Sequence, residues 1–356
     1  MNAGRKNVLI VGAGPVGLCL GLMLAQNGIY ATIIDKKREI VPYSKALGIN
    51  PHSIMLLREL GVVDSLFSQG RKMQSITIWK GEKPILHNPL SKAKHPYPFM
   101  LILPQSQTER ILLSAAKQKG LDVKMGVPYS GHVLEEGKFR VIGLNDSFDF
   151  LIGADGAQSP VRNSLQIPIE GFSYANEWSL YDVWLSCNLD PDQGHIRLNR
   201  EGGMIMIRIK DSLWRVAGNQ AHLLNDLPEG TSVQGIQWGS KFFIHHKMAK
   251  QLVKGNAAIL GDAAHQHSPL GARGMNLGFA DAAALAKAIC SGNIKNYENM
   301  RLPRIRRTVR RVNAMTFGLV GQEWYLKGLR KHLHLLSPLL QLGLPYMRDF
   351  MLGVEK

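Results

Sequence analysis

The sequence predicts an α/β protein, and three observations support this fold class. The chain has 356 residues, enough for about two domains. A hydrophobic share of 45% with only 20% charged residues lies in the globular range and excludes a disordered or fibrous chain. Three apolar runs, far apart in the sequence, each end in a loop that contains glycine or aspartate and precedes a helical pattern. Such runs are typical of strand–loop–helix units.

The first unit begins near the amino terminus. The run Asn7–Val11 predicts a strand, and Leu18–Asn27 has the composition of a buried helix. The loop between them is Gly12-Ala13-Gly14-Pro15-Val16-Gly17, and a second predicted strand, Tyr30–Ile34, ends at Asp35. A strand, a glycine loop, a helix and a second strand that ends in an acid together predict a Rossmann-type dinucleotide site.

Each residue of this motif has a physical role in such a site. Gly12 permits a tight turn, Gly14 lets the backbone approach a pyrophosphate, and Gly17 allows close packing of helix on strand. The phosphates lie at the positive helix N-terminus, and Asp35 binds a ribose hydroxyl. The alternatives are a glycine turn without a ligand and a signal peptide, although the four glycines and the proline of this run weaken any apolar helix there.

The second unit lies in the middle of the chain. An apolar strand is predicted from Phe148 to Gly153, and it breaks at Asp155-Gly156. Ser159 then stands at the start of a predicted helix that contains Arg162.

The third unit repeats this form. A strand that begins at Ala257 reaches Gly261-Asp262, and the glycine-rich loop Pro269–Asn276 follows. An alanine-rich helix is predicted from about Leu277 to Cys290. A dinucleotide that is contacted from three places far apart in sequence is typical of FAD, which is long and mostly buried.

With these motifs the chain resembles the single-component flavoprotein monooxygenases of the para-hydroxybenzoate hydroxylase type, which include the ubiquinone-biosynthesis hydroxylases. The matching stretches are GAGPVG with its later acid, ADGAQSPVR, and GDAAHQHSPLGARGMNLGFADA, with weaker support from the helix start at Gln105. The resemblance covers roughly residues 5 to 290.

The resemblance implies a Rossmann-type FAD-binding domain with an inserted β-sheet substrate domain and a C-terminal helical tail. It implies FAD as the bound cofactor and NADPH or NADH as a transient co-substrate. The expected FAD-binding domain comprises residues 1–75, 100–165 and 250–300, the substrate domain comprises 76–99 and 166–249, and the helical segment comprises 301–356.

The resemblance also assigns roles within the FAD site. Asp262 binds the ribityl or pyrophosphate segment, and Asp155 and Arg162 lie where flavin binding meets the passage of NAD(P)H. The backbone of Ala272–Asn276 faces the flavin ring, where a helix N-terminus stabilises the negative charge of the reduced ring. The full set of expected cofactor-binding residues is Gly12, Gly14, Pro15, Val16, Gly17, Asp35, Lys36, Lys45, Gln105, Asp155, Arg162, Gly261, Asp262, Pro269, Gly271, Ala272, Arg273, Gly274, Met275 and Asn276.

Segments that alternate like strands lie between the second and third motifs and predict the inserted sheet. They are Trp178–Ser186, Met204–Lys210, Trp214–Asn219 and Lys241–His245. Arg208 and Arg215 in this region are expected on a solvated strand face rather than against an acidic substrate.

The histidines do not predict a metal site. His265 and His267 have an HxH spacing, but no third ligand lies near them in the sequence. His245 and His246 are expected to be surface and packing residues rather than part of a substrate pocket. No catalytic acid or base is predicted.

Charge and cysteine content limit the partners and the location. The formal net charge of +16 biases the surface toward anions, but the basic stretch Arg301–Arg311 lacks interleaved aromatic residues and predicts a solvated helix face rather than a nucleic-acid site. The tail Leu333–Val354 is expected to dock onto the FAD-binding domain in preference to a peripheral membrane contact. Three widely spaced cysteines without a CxxC motif favour a reducing, cytoplasmic location. The sequence does not predict an oligomeric state.

The function implied by the resemblance is hydroxylation of an aromatic or polycyclic small molecule. NAD(P)H reduces FAD, O2 forms a flavin C4a-hydroperoxide, and one oxygen is transferred to the ring. The alternatives are an FAD-dependent reductase of the geranylgeranyl-reductase type and a non-catalytic flavin-binding protein. A halogenase is disfavoured because no WxWxIP-like segment is present.

Overall fold

A computed structural model of the chain describes residues 6–198, 202–220, 222–320 and 337–354. Strands and helices are numbered in chain order within these ranges. The central sheet has, in spatial order, β18 (Val253–Lys254), β19 (Ala257–Ile259), β12 (Phe150–Gly153), β1 (Val8–Val11), β2 (Thr32–Asp35) and β8 (Asp122–Met125). The strands pair in parallel, apart from β18, which is antiparallel to β19.

The middle of the central sheet is buried because its strands β1, β12 and β19 are wholly apolar. All four residues of β1 and of β12 are buried, as expected for parallel strands with helices on both faces. The helices of the described chain are α1 (Pro15–Gln26), α2 (Pro51–Glu59), α3 (Val63–Gln69), α4 (Gln105–Gln118), α5 (Pro160–Ser164), α6 (Gly274–Cys290), α7 (Lys295–Val320) and α8 (Ser337–Leu352).

A second, larger sheet carries the strands predicted as an insertion. Its spatial order is β20 (His265–Gln266), β17 (Ser232–Ala249), β13 (Ile169–Ser186), β16 (Leu213–Gly218), β15 (Gly203–Lys210), β14 (Gln193–Leu198), β5 (Ser75–Lys80) and β6 (Lys83–Pro89). Its edge strand β20 lies within the third motif, between Asp262 and the glycine-rich loop, so the large sheet joins the motif region without a linker.

Two small sheets complete the fold. One is formed by β3 (Gly48–Ile49), β7 (Met100–Ile102) and β4 (Arg71–Met73), and the other by β11 (Ser147–Phe148), β10 (Lys138–Val141) and β9 (His132–Glu135). The first of these packs its apolar side chains against the large sheet.

The predicted fold class is confirmed: an α/β chain with a Rossmann-type sheet, an inserted β-sheet and a C-terminal helix. The boundaries of the elements differ in detail. Helix α1 begins at Pro15 rather than Leu18, because Gly14 is extended at the N-cap and proline suits the first helical turn. Helix α6 likewise begins at Gly274, within the glycine-rich loop.

The tail docks on the part expected to bind FAD only at its end, where Met351 and Leu352 pack with Leu47, Met100 and Ile102. Helix α8 lies along β6 of the large sheet, where Leu344 and Met347 pack in an apolar cluster with Ile78 and Leu86. Its last turn reaches the loop that contains Arg273. The first part of the predicted tail, residues 333–336, lies outside the described residues.

None of the helices in the described ranges combines the length and the apolar character needed to span a bilayer.

Candidate functional site

One large cavity, of about 620 Å³, lies between the carboxyl ends of the central strands and one face of the large sheet. Most of the residues predicted to bind the cofactor line it. They are Gly12, Gly14, Pro15, Val16, Asp35, Lys36, Lys45, Gln105, Asp155, Gly261, Asp262, Pro269, Gly271, Ala272, Arg273, Gly274 and Met275. The other three predicted residues, Gly17, Arg162 and Asn276, lie behind this wall.

The three glycines of the first motif differ in their surroundings. A Cβ atom on Gly12, whose φ is +113°, would lie 2.2 Å from the Ala154 carbonyl oxygen, and one on Gly17 would lie 1.9 Å from the Gly12 carbonyl oxygen. Both glycines therefore serve close backbone packing. A Cβ on Gly14 would meet no protein atom within 4 Å, because it would point into the cavity at the start of α1.

Asp35 is held in a fixed orientation at the end of β2. Its carboxylate accepts hydrogen bonds from the backbone N–H groups of Ala13 and Lys37, both at 2.8 Å. The first bond connects the acid directly to the glycine loop, so the two parts of the motif form one unit.

The start of α4 supports the loop that carries Lys45. The Gln105 backbone N–H donates to the Ala46 carbonyl at 3.1 Å, and the Ser106 hydroxyl donates to the Pro42 carbonyl at 2.8 Å. The Gln105 side chain in turn donates to Glu109 at 2.7 Å, and burial raises the pKa of the Glu109 carboxyl. Glu109 lines the cavity and was not predicted, although it lies one helical turn after Gln105.

The second motif is ordered by its own side chains. The Ser159 hydroxyl caps α5 by accepting from the Arg162 backbone N–H at 2.9 Å. Asp155 accepts from the Val161 backbone N–H at 3.0 Å, and burial raises the pKa of its carboxyl. The Arg162 guanidinium donates to the carbonyls of Ala157 and Ala263. Arg162 thus connects the second motif to the third from behind the cavity wall.

Asp262 faces the cavity from a single 3-10 turn, Gly261–Ala263. Desolvation raises the pKa of the Asp262 carboxyl, whereas electrostatic interactions with His265 and Lys45 lower it. The neighbouring Gly261 has a φ of +61°, which positions the turn at the end of β19.

A buried group of charged residues supports this turn from behind. Nε2 of His265 donates to the Asp281 carboxylate at 2.6 Å, and Arg301 donates to the other carboxylate oxygen at 2.7 Å. Burial alone would raise the pKa of Asp281, but the positive charges and hydrogen bonds of Arg301 and His265 outweigh it and hold that pKa below its usual value. This group could not be predicted from the sequence, because its members come from β20, α6 and α7.

The glycine-rich loop approaches the cavity and is fixed by its last residue. Asn276 donates to the Gly48 carbonyl and accepts from the Asn50 backbone N–H, both at 2.9 Å. These bonds hold the first turn of α6 against β3. Ala272 has a φ of +51°, a backbone conformation that is uncommon for residues other than glycine.

The large sheet supplies an apolar floor opposite this loop. Its lining residues include Trp178, Leu180, Ile205, Ile207 and Phe242.

Arg215 differs from the expectation that it lies on a solvated strand face. Arg215 is only 5% exposed, and its guanidinium forms a two-point ion pair with Asp182, each contact 2.8 Å long. It also donates to the Lys45 carbonyl at 2.6 Å. The prediction fails because Asp182 lies directly opposite Arg215 on the neighbouring strand, and a paired guanidinium can be buried. Arg208 is half-buried and donates to the Asp211 carbonyl.

Lys45 extends between the floor and the third motif. Its Nζ atom lies 4.6 Å from the centre of the Phe242 ring, a cation–π geometry. Burial lowers the pKa of the Lys45 amine, and the negative charge of Asp262 opposes that change.

Three histidines of the described chain, His245, His265 and His267, line the cavity, although none of them was predicted to do so. His245 lines it together with Phe242 of the same strand, while the ring of His246 packs 5.1 Å from the Phe172 ring. Nδ1 of His267 donates to the Ser268 carbonyl at 3.0 Å, and burial lowers the pKa of this imidazole to about 4. Within the described ranges no group of three or more His, Cys, Asp or Glu side chains could hold a metal ion.

Comparison with known proteins places this geometry in a family. A family model described as "FAD binding domain" matches residues 5–217 and 217–312. A curated relative, 6-methylpretetramide 4-monooxygenase of Streptomyces rimosus, is 30% identical over 311 residues, which cover 80% of this chain and 55% of the relative. The chain belongs to the FAD-dependent monooxygenase family.

Solved structures share the fold of this FAD-dependent monooxygenase family member. The p-nitrophenol 4-monooxygenase PnpA of Pseudomonas putida has a TM-score of 0.82 at 17% identity, with 98% of this chain and 97% of that chain covered. The Diels-Alderase PyrE3 also has a TM-score of 0.82, at 21% identity, with 98% and 81% covered. These likenesses show the fold alone, since one fold can carry different reactions.

FAD is the cofactor of this family, and the residues present fit it. The open space beside Gly14 lies at the N-terminus of α1, where backbone N–H groups and the helix dipole favour a pyrophosphate. Among the described residues, the buried carboxylate oxygen Oδ1 of Asp155, a residue that lines the same cavity, has no hydrogen-bond partner. A long dinucleotide could therefore extend from Asp35 past Gly14 and Asp262 to the glycine-rich loop.

Proposed function

We propose that this chain catalyses the NAD(P)H- and O2-dependent hydroxylation of an aromatic or polycyclic small molecule with bound FAD. The observation that carries the proposal is the shape of the cavity. The glycine-rich loop at the start of α6 and the apolar floor around Trp178 and Phe242 line one cavity, and Leu270 of the loop packs against that floor. A flavin ring on the loop and an aromatic ring on the floor can then lie in contact.

In this proposal the chain's own residues bind and orient the reactants. Gly14 and the first turn of α1 receive the pyrophosphate, Asp35 binds the adenosine ribose, and Asp262 binds the ribityl segment. When bound, FAD supplies the electron transfer from NAD(P)H to O2 and the insertion of oxygen. The N–H groups at the start of α6 stabilise negative charge next to Gly274.

The floor has a separate role. Isoleucine, leucine and aromatic side chains exclude water from the space above the loop, and a reactive oxygen species survives longer where water is excluded. The same side chains hold the substrate ring near the reacting atoms. A bimolecular step thereby becomes an effectively unimolecular step within the complex. The domain division expected from the sequence is part of the same proposal, with residues 76–99 and 166–249 forming the substrate side.

The test combines three measurements on the purified protein. We expect a flavin absorption spectrum, oxidation of NADPH or NADH that rises when a phenolic or polycyclic compound is added, and incorporation of label from isotopically labelled O2 into the product. Bound flavin with stimulated oxidation but unlabelled product would replace hydroxylation by a reductase activity. Bound flavin without stimulated oxidation by any compound tested would indicate a non-catalytic flavin protein.

The Asp262→Ala variant tests the site itself. Because Asp262 is the carboxylate of the third motif that lines the cavity, its removal should weaken FAD affinity or slow flavin reduction. An Asp262→Ala protein with wild-type FAD affinity and wild-type reduction rate would contradict this placement.

A further inference from the structure

The end of helix α8 contributes one residue, Met351, to the cavity wall. Within the described ranges, no other residue after Met275 lines the cavity. Met351 is 8% exposed and is preceded and followed by the buried residues Phe350 and Leu352. It is therefore part of the wall and not a loosely attached end of the chain.

Arg273 anchors this end of the helix. Its guanidinium donates to the Phe350 carbonyl at 2.6 Å, and its Cζ atom lies 4.8 Å from the centre of the Phe350 ring. A carbonyl in the last turn of a helix is a favourable acceptor for a cation, because the helix dipole is negative there. The glycine-rich loop and the end of α8 are consequently held in one arrangement.

The residue that follows the helix fits tightly in the same place. Gly353 has a φ of +70°, and a Cβ atom there would lie 2.6 Å from the side-chain nitrogen of Asn50 and 3.0 Å from Arg273. The chain can turn away from the cavity at this point only because the residue is glycine.

The neighbours of Met351 are apolar and come from both sides of the cavity. The cluster that contains it includes Met73 and Ile76 of the sheet region, Met100 and Ile102 of β7, and, packed against them, Ala272 of the glycine-rich loop. These residues line the cavity as well. A ligand at this position meets side chains that distinguish size and shape but offer no charge.

We infer that Met351 determines the size of the ring system that this site accepts. The inference rests on the proposed function, because it concerns the aromatic substrate of the same cavity. A methionine side chain is long and flexible, so it limits the depth of the cavity while adjusting to the outline of a ligand. Shortening it opens space next to Ala272, and replacing it with a larger rigid side chain closes that space.

The helix offers a matched control. Met347 lies one turn before Met351 and is partly buried. It packs against two apolar clusters, one that contains Ile78 and Leu86 and one that contains Met73. It does not line the cavity. The Met347→Ala variant therefore removes the same atoms from the same helix without changing the cavity wall.

The experiment measures binding of salicylate, a one-ring probe, and of hydroxynaphthoate, a two-ring probe, to the FAD-loaded protein through the change in flavin absorbance. Relative to wild type, Met351→Ala should shift the ratio of the two dissociation constants about tenfold toward the larger probe, and Met351→Phe should shift it in the opposite direction. Changes of a single methylene in an apolar pocket have effects of about this size. Met347→Ala should leave the ratio unchanged, and thermal unfolding checks that each variant is folded.

Each outcome decides between the two claims. The role of Met351 is overturned if wild type binds both probes and the Met351 variants keep the wild-type ratio of the two dissociation constants. A change in that ratio no larger than the change in Met347→Ala overturns it as well. In both cases the proposed function stands. If the FAD-loaded wild type binds neither probe, the cavity is not an aromatic site, and both claims fail. Opposite shifts in Met351→Ala and Met351→Phe support the inference.

Discussion

Gly14 differs from Gly12 and Gly17, the other two glycines of the first motif, in the surroundings that a side chain at its position would have. Gly12 and Gly17 face backbone atoms, whereas Gly14 faces the cavity and has an extended backbone, with φ of −72° and ψ of 178°, that any residue adopts. A side chain at position 14 would thus compete with the ligand and not with the fold.

The Gly14→Val variant should therefore fold and fail to retain FAD. Valine is a poorer N-cap than glycine, so we expect a loss of less than about 1 kcal/mol in the free energy of unfolding. The measurements are the flavin absorbance per protein and the denaturant midpoint, with Gly17→Val as the contrasting variant that loses the fold itself. A Gly14→Val protein that purifies fully loaded and yellow would refute the assignment of the pyrophosphate site.

His267 makes a second prediction at the residue scale, which concerns pH. Burial lowers the pKa of its imidazole to about 4 from 6.5, and His265, Arg273 and His246 act in the same direction, while the hydrogen bond to the Ser268 carbonyl opposes them. Because the folded-state pKa is depressed, the neutral form stabilises the fold above pH 6.5, and this contribution is lost as the pH falls toward 4.

The His267→Asn variant isolates this contribution, since asparagine keeps a donor near the Ser268 carbonyl and does not titrate. Between pH 6.5 and 4 the free energy of unfolding of the apoprotein should fall more steeply in wild type than in the variant, by up to about 3 kcal/mol. Denaturant titrations at several pH values measure the difference. Parallel pH profiles for the two proteins would show that His267 is not held neutral by its surroundings.

At the scale of elements, the ion pair of Arg215 with Asp182 connects β16, β13 and the loop before β3. One guanidinium satisfies a buried carboxylate on the neighbouring strand and the Lys45 carbonyl on the loop. Lys45 also contacts the ring of Phe242 on β17. The position of the loop over the floor therefore depends on charges inside the large sheet.

Replacing Arg215 with Met should leave Asp182 buried without a partner, at a cost of about 3–5 kcal/mol in the free energy of unfolding. The double variant Arg215→Met with Asp182→Leu should recover most of that loss, because no charge remains buried. A double-mutant cycle by denaturant unfolding measures the coupling. If the two single losses simply add in the double variant, the pair contributes no coupling.

At the scale of the whole molecule, local motifs were predictable and long-range pairings were not. The strands, the glycine loops and Asp35 could be predicted because each depends on neighbouring residues and on the backbone freedom of glycine. Arg215 was misjudged because its partner, Asp182, is 33 residues away and becomes a neighbour only through strand pairing. The register between two strands depends on which face of each strand is buried. A short segment of alternating residues does not define that face.

The candidate site shows the same division. Motif residues meet around one cavity, but the sequence held no signal for Met351, whose neighbour Phe350 accepts a hydrogen bond from Arg273 of the glycine-rich loop. The buried group around Asp281 was equally hidden, since an aspartate within an alanine-rich helix gives no indication of its partners. Glu109 was within reach, because its spacing from Gln105 is one helical turn.

The two long strands of the large sheet have a consequence for how such a protein can diversify. Strands β13 and β17 each have 18 residues, a length of about 60 Å if fully extended, and one end of their ladder meets the third motif through β20 while the middle forms the cavity floor. The pairing shifts register between Ser173 and Glu177, between these two regions. Such an irregularity bends the strand and increases its twist locally. Substitutions that reshape the floor around Trp178 should therefore leave the pairing of β17 with β20 in place, so the floor can change in sequence while the edge of the sheet at the third motif keeps its register.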